Sequence, residues 1–414
     1  MYEIWKRKKL LIEEVQHRAF RLLMKLTNDR ENEKGYGLTL DHNLKPDVAS
    51  IASTGFVLSS YIIADTYGYL PRKEIVKRVK KTLETLWYNV PHFKGFFVHF
   101  VDIHTASRYK KSEYSTVDTL LCIKGVIAVS SYFDDLEIKH LADKILNRIE
   151  WDFFIDHRSD KKRFYTAYNP DKDGDYANGE AGFIYYWHML AEQIVMYIIA
   201  AGSKRLSNET ALELYEGFER NLGSYQGHKY YYSPGNTLFV YQYPLCWLDG
   251  KNWINKDGFS WYQNLKNATL GHRAWNLRNY KRFKTFSRET FGLTASSSPN
   301  GYSVFHCVPS ISNSYLTDGT IQPNAMIGSL ITNPKEVLKA LFYMKDIPKV
   351  WTKYGFVDAY NFEDRKWISK QFITIDNGLE MLMANAYLSG EVVASFMNHE
   401  IIKRGLEVLQ WKKI

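Results

Sequence analysis

The chain has 414 residues, 45% of them apolar and 24% charged, which is ample core material for a globular protein and excludes a disordered one. Its formal net charge of +9 does not make it a nucleic-acid binder: the Lys and Arg are scattered, and the dense runs at 6–9 and 78–81 read as solvated helix faces. Cys122, Cys246 and Cys307 form no CxxC pair, which excludes a disulfide framework and a cysteine zinc site.

The N-terminal stretch MYEIWKRKKLLIEEVQHRAF is basic but lacks a long apolar core and a small-residue cleavage site. Apolar positions 11, 15, 19, 22, 23 and 26 predict an amphipathic helix instead of a signal peptide, and a soluble, cytoplasmic chain. Helical spacing recurs over residues 50–67, 71–87 (Pro71 suits the first turn), 119–133 and 136–149. It returns over 183–201, 208–222, 262–278, 334–343, 378–388 and 391–409. The run 183–201 is apolar enough to suggest a membrane span, but His188, Glu192 and Gln193 within it argue against one.

Convincing strand patterns are few, and no Pro/Ser/Gly linker divides the chain, so 1–414 reads as one all-α domain. Decorated loops at 92–115, 158–182, 223–259 and 286–334 join the helices. A toroid of helical hairpins, the (α/α) barrel, fits this order; a repeat solenoid fits less well, because no fixed period is present.

Several carboxylates stand out. Glu192 is the only ionisable acid or base other than His and Tyr between 183 and 201. It is either a core carboxylate held by a partner or a general acid whose pKa burial raises. His188, four residues before it, would share its helix face, and the two could also be a partial metal pair. In YGFVDAY (354–360), Asp358 is either a turn residue capping its own backbone or a general base presented among aromatic rings.

In SEYSTVDTLL (112–121), Asp118 opens an apolar helix and could be a simple cap; with Glu113, His99, Asp102 and Arg108 it forms a polar cluster that could line a site. The turn DKDGDY (171–176) alternates aspartates at 171, 173 and 175 but lacks the Gly and Glu of a calcium loop, so a solvated turn is favoured over calcium. No GxSxG, HExxH or GxGxxG motif appears. Aromatic residues reach 15%, with 30 Tyr and 11 Trp, which favours a ligand with flat faces such as a sugar ring. Two carboxyl groups and sugar-binding surfaces are what glycoside chemistry needs.

Nine segments in order resemble one family. They are VASIASTGFVLSSYIIADTYGYL (48–70), GFFVHFVD (95–102), YSTVDTLLCIKGVIAVSSYF (114–133), WHMLAEQIVMYIIAAGS (187–203) and LFVYQYPLCWLD (238–249). FGLTASSSPNGY (291–302), DGTIQPNAMIGSL (318–330), YGFVDAY and IDNGLEMLMANAYLSG (375–390) follow. Together they are similar to the bacterial glucoamylase-like domain family, which includes glycoside hydrolase family 144 and is related to the hydrolase-like domain of cyclic β-1,2-glucan synthases.

The resemblance covers nearly the whole chain and implies an (α/α)6 toroid that hydrolyses glucans, β-1,2-linked ones foremost, with inversion. It implies Glu192 as general acid and Asp358 as general base, with Asp118 lining the substrate site. In related β-1,2-glucanases the proton passes through a substrate hydroxyl. Glu113, His99, Trp187 and Arg108 are expected to contact the substrate, as are Asp41, Asp376 and Tyr360; no metal, cofactor, nucleic acid or membrane is expected as partner. The chain departs from the family in having Leu248-Asp249-Gly250-Lys251 after Trp247, Phe291 before Gly-Leu-Thr, and Asn377 before Gly378. The rival readings are a non-catalytic sugar-binding protein, a polysaccharide lyase or a sugar epimerase on the same toroid.

Overall fold

Helices of two kinds, those buried all round and those with a single apolar face, set the architecture. The computed structural model describes residues 2–171 and 181–414. Asp173 and Asp175 of the acidic turn lie outside the described residues. In the first part of the chain are α1 (Tyr2–Leu26), α2 (Ile51–Thr66), α3 (Arg72–Tyr88), α4 (Thr116–Tyr132) and α5 (Leu136–Asn147). Then come α6 (Ile194–Gly202), α7 (Asn208–Glu216), the short α8 (Phe239–Gln242) and α9 (Trp261–Asn279). The last part holds α10 (Pro323–Ile327), α11 (Pro334–Lys345), α12 (Thr374–Leu388), α13 (Glu391–Asn398) and α14 (Glu400–Val408).

Helix α2 is buried from Ile51 to Ala64, α4 almost throughout, and every residue of α6 is buried. Such helices have no polar face to give to water, so they must be surrounded. Helix α2 packs on α4 and α12, and α6 on α14. By contrast α3, α5, α7 and α14 bury one stripe each and turn Lys and Glu outward. The result is helix-rich, with buried helices inside and amphipathic ones outside.

Glycines let the inner helices touch backbone to backbone. A Cβ on Gly125 of α4 would lie 2.2 Å from the Gly55 carbonyl oxygen of α2, and one on Gly55 would lie 2.2 Å from the Leu121 carbonyl oxygen. The same device joins α6 to α14: a Cβ on Gly202 would meet the Ile401 carbonyl at 1.8 Å, and one on Gly405 the Ile198 carbonyl at 1.9 Å.

Among the described residues, strands come as antiparallel pairs and one four-stranded patch. That patch joins Tyr114–Ser115, Ile155–Asp156, Arg163–Tyr168 and Phe183–Tyr186 beside the start of α4. It corrects the helix expected over 183–201. FIYY is rich in aromatic and β-branched residues and pairs with Arg163–Tyr168 in the register Tyr165 to Tyr186 and Ala167 to Ile184, so the helix begins only at Ile194. The helix expected over 208–222 ends at Glu216, and Asn221–Tyr225 forms a hairpin with His228–Tyr232. That over 391–409 breaks at His399, whose backbone is extended and whose Nδ1 accepts the Ile401 N–H to cap α14.

Two hydrophobic cores meet along α12. The larger includes α2 to α6, while the smaller gathers Leu11, Ile12 and Val15 of α1 with Trp275, Phe291, Met326 and Phe356. No helix among the described residues is long and apolar enough to cross a membrane. Because the Gly55–Gly125 contact is between rigid backbones, Gly125→Ala should cost about 1–3 kcal/mol or more, measurable as a lower urea midpoint with unchanged slope. A variant as stable as wild type would show that the crossing is not close-packed.

Candidate active site

One wall of the site is built at the start of α4. Ser115 caps the helix, accepting the Asp118 N–H at 3.2 Å, while its own hydroxyl donates to Asp118 Oδ2 at 2.6 Å. So the cap is Ser115, which leaves Asp118 Oδ1 to face His99 Nε2 at 3.4 Å. His99 Nδ1 lies 2.8 Å from Glu113 Oε1, and the ring stacks on Phe100 with centroids 3.6 Å apart. Burial alone would lower the His99 pKa, but Asp118, Glu113 and Asp41 outweigh it and raise it to about 9. At neutral pH an imidazolium therefore bridges Asp118 and Glu113. In return, contact with His99 outweighs burial and lowers the Glu113 pKa. Asp41 borders the same group, its carboxyl raised by burial and by Asp118 against the pull of His42 and His99.

Glu192 stands in the turn just before α6, not within a helix as the sequence pattern suggested. The fully buried Gln193 staples that turn: its Oε1 accepts the Ala191 N–H at 2.8 Å and its Nε2 donates to the Met189 carbonyl at 2.9 Å. Glu192 keeps part of its surface open while the surrounding walls crowd it. Burial, with a contribution from Asp118, raises its pKa to about 7 against its own backbone N–H and Lys124. His188 is exposed and its carbonyl accepts the Glu219 N–H, so it does not share a helix face with Glu192. Trp187, half-buried, donates its indole N–H to Thr116 Oγ1 at 3.1 Å and so stands beside the first turn of α4.

Below Glu192 lies a group the sequence pattern did not single out. Lys124 of α4 is fully buried, its Nζ has no hydrogen-bond partner, and it sits 4.0 Å over the Trp247 ring. Burial lowers its pKa to about 7, against the pull of Cys246 and Glu192. Trp247 is itself fixed, donating its indole N–H to Ser59 of α2 at 2.9 Å.

The opposite wall carries three buried carboxyls: Asp358, and Asp376 and Glu380 one turn apart on α12. Asp358 Oδ2 accepts the Ser297 backbone N–H at 2.9 Å, while its Oδ1 is buried without a hydrogen-bond partner among the described residues. Burial raises all three; Asp376 is raised further by Asp358, and Glu380 likewise. The Asp358–Asp376 contact lowers the one and raises the other, so the two titrate as a pair in which Asp376 is the harder to ionise. Asn324 opposes the rise at Asp376, and Asn377 that at Glu380.

Tyr302 connects the two walls. It lies directly across from Ser297 in the hairpin Ala295–Ser298/Gly301–Val304. It is 64% exposed. Burial raises its pKa, and so do Asp376 and Asp358 from one wall and Asp41 and Glu192 from the other. The structure thus brings Asp41, Glu113, Asp118, His99, Trp187 and Glu192 to one side, and Asp358 and Asp376 to the other.

Two expected contacts do not reach the cleft. Tyr360 is fully buried in the smaller core, its ring 5.3 Å from Phe362, and has no surface to offer a substrate. Arg108 is committed to holding loops together, donating to the Ser112 carbonyl at 2.6 Å, Asn169 Oδ1 at 3.0 Å and Asp171 Oδ2 at 2.5 Å. Asp102 likewise caps a turn, accepting from the His104 and Thr105 N–H groups. Lys124, Glu380, Ser297 and Tyr302 were not singled out by residue type; the only sequence signal is an ionisable side chain inside a helix apolar on every face, for Lys124 and Glu380. Among the described residues no three His, Cys, Asp or Glu side chains are placed to hold a metal ion.

Residues 184–400 match the family model Glycoamylase, described as "Putative glucoamylase". A curated relative, the exo beta-1,2-glucooligosaccharide sophorohydrolase (non-reducing end) of Parabacteroides distasonis, is 22% identical over 399 residues, covering 88% of this chain and 53% of that protein. The chain therefore spans about half the length of that relative. Among solved structures, a putative glucoamylase from Bacteroides caccae superposes with a TM-score of 0.85 at 22% identity, covering 98% of this chain and 100% of the other. The endo-beta-1,2-glucanase of Chitinophaga pinensis, in complex with sophorotriose and glucose, gives a TM-score of 0.84 at 22% identity, covering 98% and 99%. These likenesses show the fold.

Glu380 predicts a pH dependence of stability. An unfolded glutamate loses its proton near its ordinary pKa of about 4.3, whereas the folded chain holds this one to higher pH. Between those two values the unfolded chain binds fewer protons, so stability falls as pH rises. In calorimetry, Glu380→Gln should melt close to wild type at pH about 4 and a few degrees above it at pH about 8. A gap independent of pH would contradict a carboxyl that stays protonated.

Proposed function

The chain belongs to the Glycoamylase family, and from that membership we propose that it is a glycoside hydrolase acting on β-1,2-linked glucans or gluco-oligosaccharides. The substrate class rests on relatives named as a sophorohydrolase and an endo-beta-1,2-glucanase. An (α/α)6 toroid forming one catalytic domain over 1–414 belongs to the same reading; helices buried all round, surrounded by amphipathic ones, support it.

Glu192 donates the proton to the leaving-group oxygen, directly or through a substrate hydroxyl. Its pKa near 7 leaves the acid form populated at neutral pH, where an ordinary glutamate would hold almost none. Asp358 activates water on the opposite face of the anomeric carbon. The Ser297 N–H donates to its Oδ2 and orients it, and that bond together with the Asp376 contact opposes the rise that burial imposes on its pKa. The His99 imidazolium lies between Asp118 and Glu113 and orients both, and it lowers the Glu113 pKa, so that their carboxyl oxygens can accept hydrogen bonds from sugar hydroxyls. Attack opposite to protonation inverts the anomeric configuration. The observation that carries this reading is Tyr302, whose pKa is raised by Asp376 and Asp358 and also by Asp41 and Glu192, so that both sets of carboxyls act on one hydroxyl.

The test is a panel of glucans and disaccharides of differing linkage, with products followed by chromatography and anomers by NMR. β-1,2-Glucan should be cleaved with inversion, and Glu192→Gln and Asp358→Asn should each lower kcat about 10²–10⁴-fold. Full turnover by both variants, or retained configuration, would overturn the mechanism.

A further inference from the structure

The loop beside Asp358 carries three exposed cations, Arg365, Lys366 and Lys370, with Asp364 next to the first. A cavity of about 590 Å³ opens next to the hairpin, with Ser297 and Tyr302 on one side and Arg365, Lys366, Trp367 and Lys370 on the other. A second cavity of about 430 Å³ adjoins it, sharing Lys366 and Lys370 and adding Lys349. No Asp or Glu lines either cavity. Among the described residues none of these four cations is in an ion pair, and Lys366 rests over the Phe362 ring. Glu363, close by in sequence, is turned away and accepts from the Lys284 and Thr285 N–H groups and the Thr285 hydroxyl.

Ser297 belongs to both places. Its N–H holds Asp358, and its hydroxyl donates to Gln371 Oε1 at 2.9 Å in the loop that carries the cations. The cavity is thus fixed to the carboxyl assigned as general base. Trp367 is half-buried and Tyr302 open, so two rings are available for a sugar face. A neutral glucan would use only those rings. A set of unpaired cations in a concave wall instead favours an anion, which Arg365 can take by two parallel hydrogen bonds and Lys370 as a point charge.

We propose that this cavity is a subsite for an anionic substituent on the glucan, a carboxylate- or phosphate-bearing sugar unit bound next to the cleavage position. The proposal rests on the glycoside hydrolase reading. It is tested with one β-1,2-linked glucan in three forms: neutral, succinylated and phosphorylated. For wild type and the Arg365→Ala/Lys370→Ala double variant, kcat/KM is measured on each form at low and high salt. Calorimetric binding of the same three forms to Glu192→Gln, with and without the double substitution, separates recognition from turnover.

Wild type should favour one or both anionic forms over the neutral one by about three- to tenfold at low salt. That ratio should fall toward one in the double variant and in about 0.5 M salt. Preference for the succinylated or the phosphorylated form identifies the anion. Equal kcat/KM and equal binding on all three forms, or a ratio that survives the double substitution, would overturn the subsite. If no form is hydrolysed yet the anionic one still binds more tightly through Arg365 and Lys370, the hydrolase reading fails and the anion subsite stands.

Discussion

Removing carboxyl groups from water is costly unless a cation or a retained proton compensates them, and the two walls of the cleft meet that demand in opposite ways. On the α4 side the His99 imidazolium lies between Asp118 and Glu113 and lowers the Glu113 pKa against burial. On the α12 side burial raises the pKa of Asp358, Asp376 and Glu380, and for Asp358 the Asp376 contact and the Ser297 N–H oppose that rise. Glu192 falls between these extremes. Asp118 and burial push its pKa up, and Lys124 pulls it down, leaving it poised near neutral. Environments that drive neighbouring carboxyls apart in pKa allow one to serve as acid while another serves as base.

That separation depends on how tightly the helices meet. The crossing of α2 and α4 at Gly55 and Gly125 draws the two backbones together just beyond Lys124. The lysine lies along the Trp247 ring instead of reaching solvent, and Trp247 is tied back to Ser59 of α2. A charge that would ordinarily extend to water is thereby kept beneath the cleft, where its field acts in a medium of low polarity. Fold and chemistry share the same residues here.

The one-faced helices were legible because they have a sustained 3.6-residue pattern and a clear start, such as Pro71 before α3 or Asp135 capping α5. The run 183–201 was misread because an unbroken apolar stretch gives the same signal as a buried strand, a turn and a short helix in sequence. What decides between them is the distant pairing with Arg163–Tyr168, together with the local side-chain staple formed by Gln193. Glu192, Asp358 and Asp118 could be singled out as carboxylates in unusual company and by resemblance. Tyr360 and Arg108 could not be sorted from them, since residue type does not reveal whether a side chain is already committed to packing or to loop carbonyls. Lys124 and Glu380 stayed hidden for a related reason: charge on a helix ordinarily marks the wet face, and these helices have none.

Whether Glu192 holds a proton near neutral pH decides most about the chemistry. Its titration can be followed directly by infrared difference spectroscopy, using the carboxyl band present in wild type and absent from Glu192→Gln. A midpoint of about 7 is the result required of the proton donor. A midpoint near the ordinary glutamate value of about 4.3 would contradict it and leave the role of acid to another group.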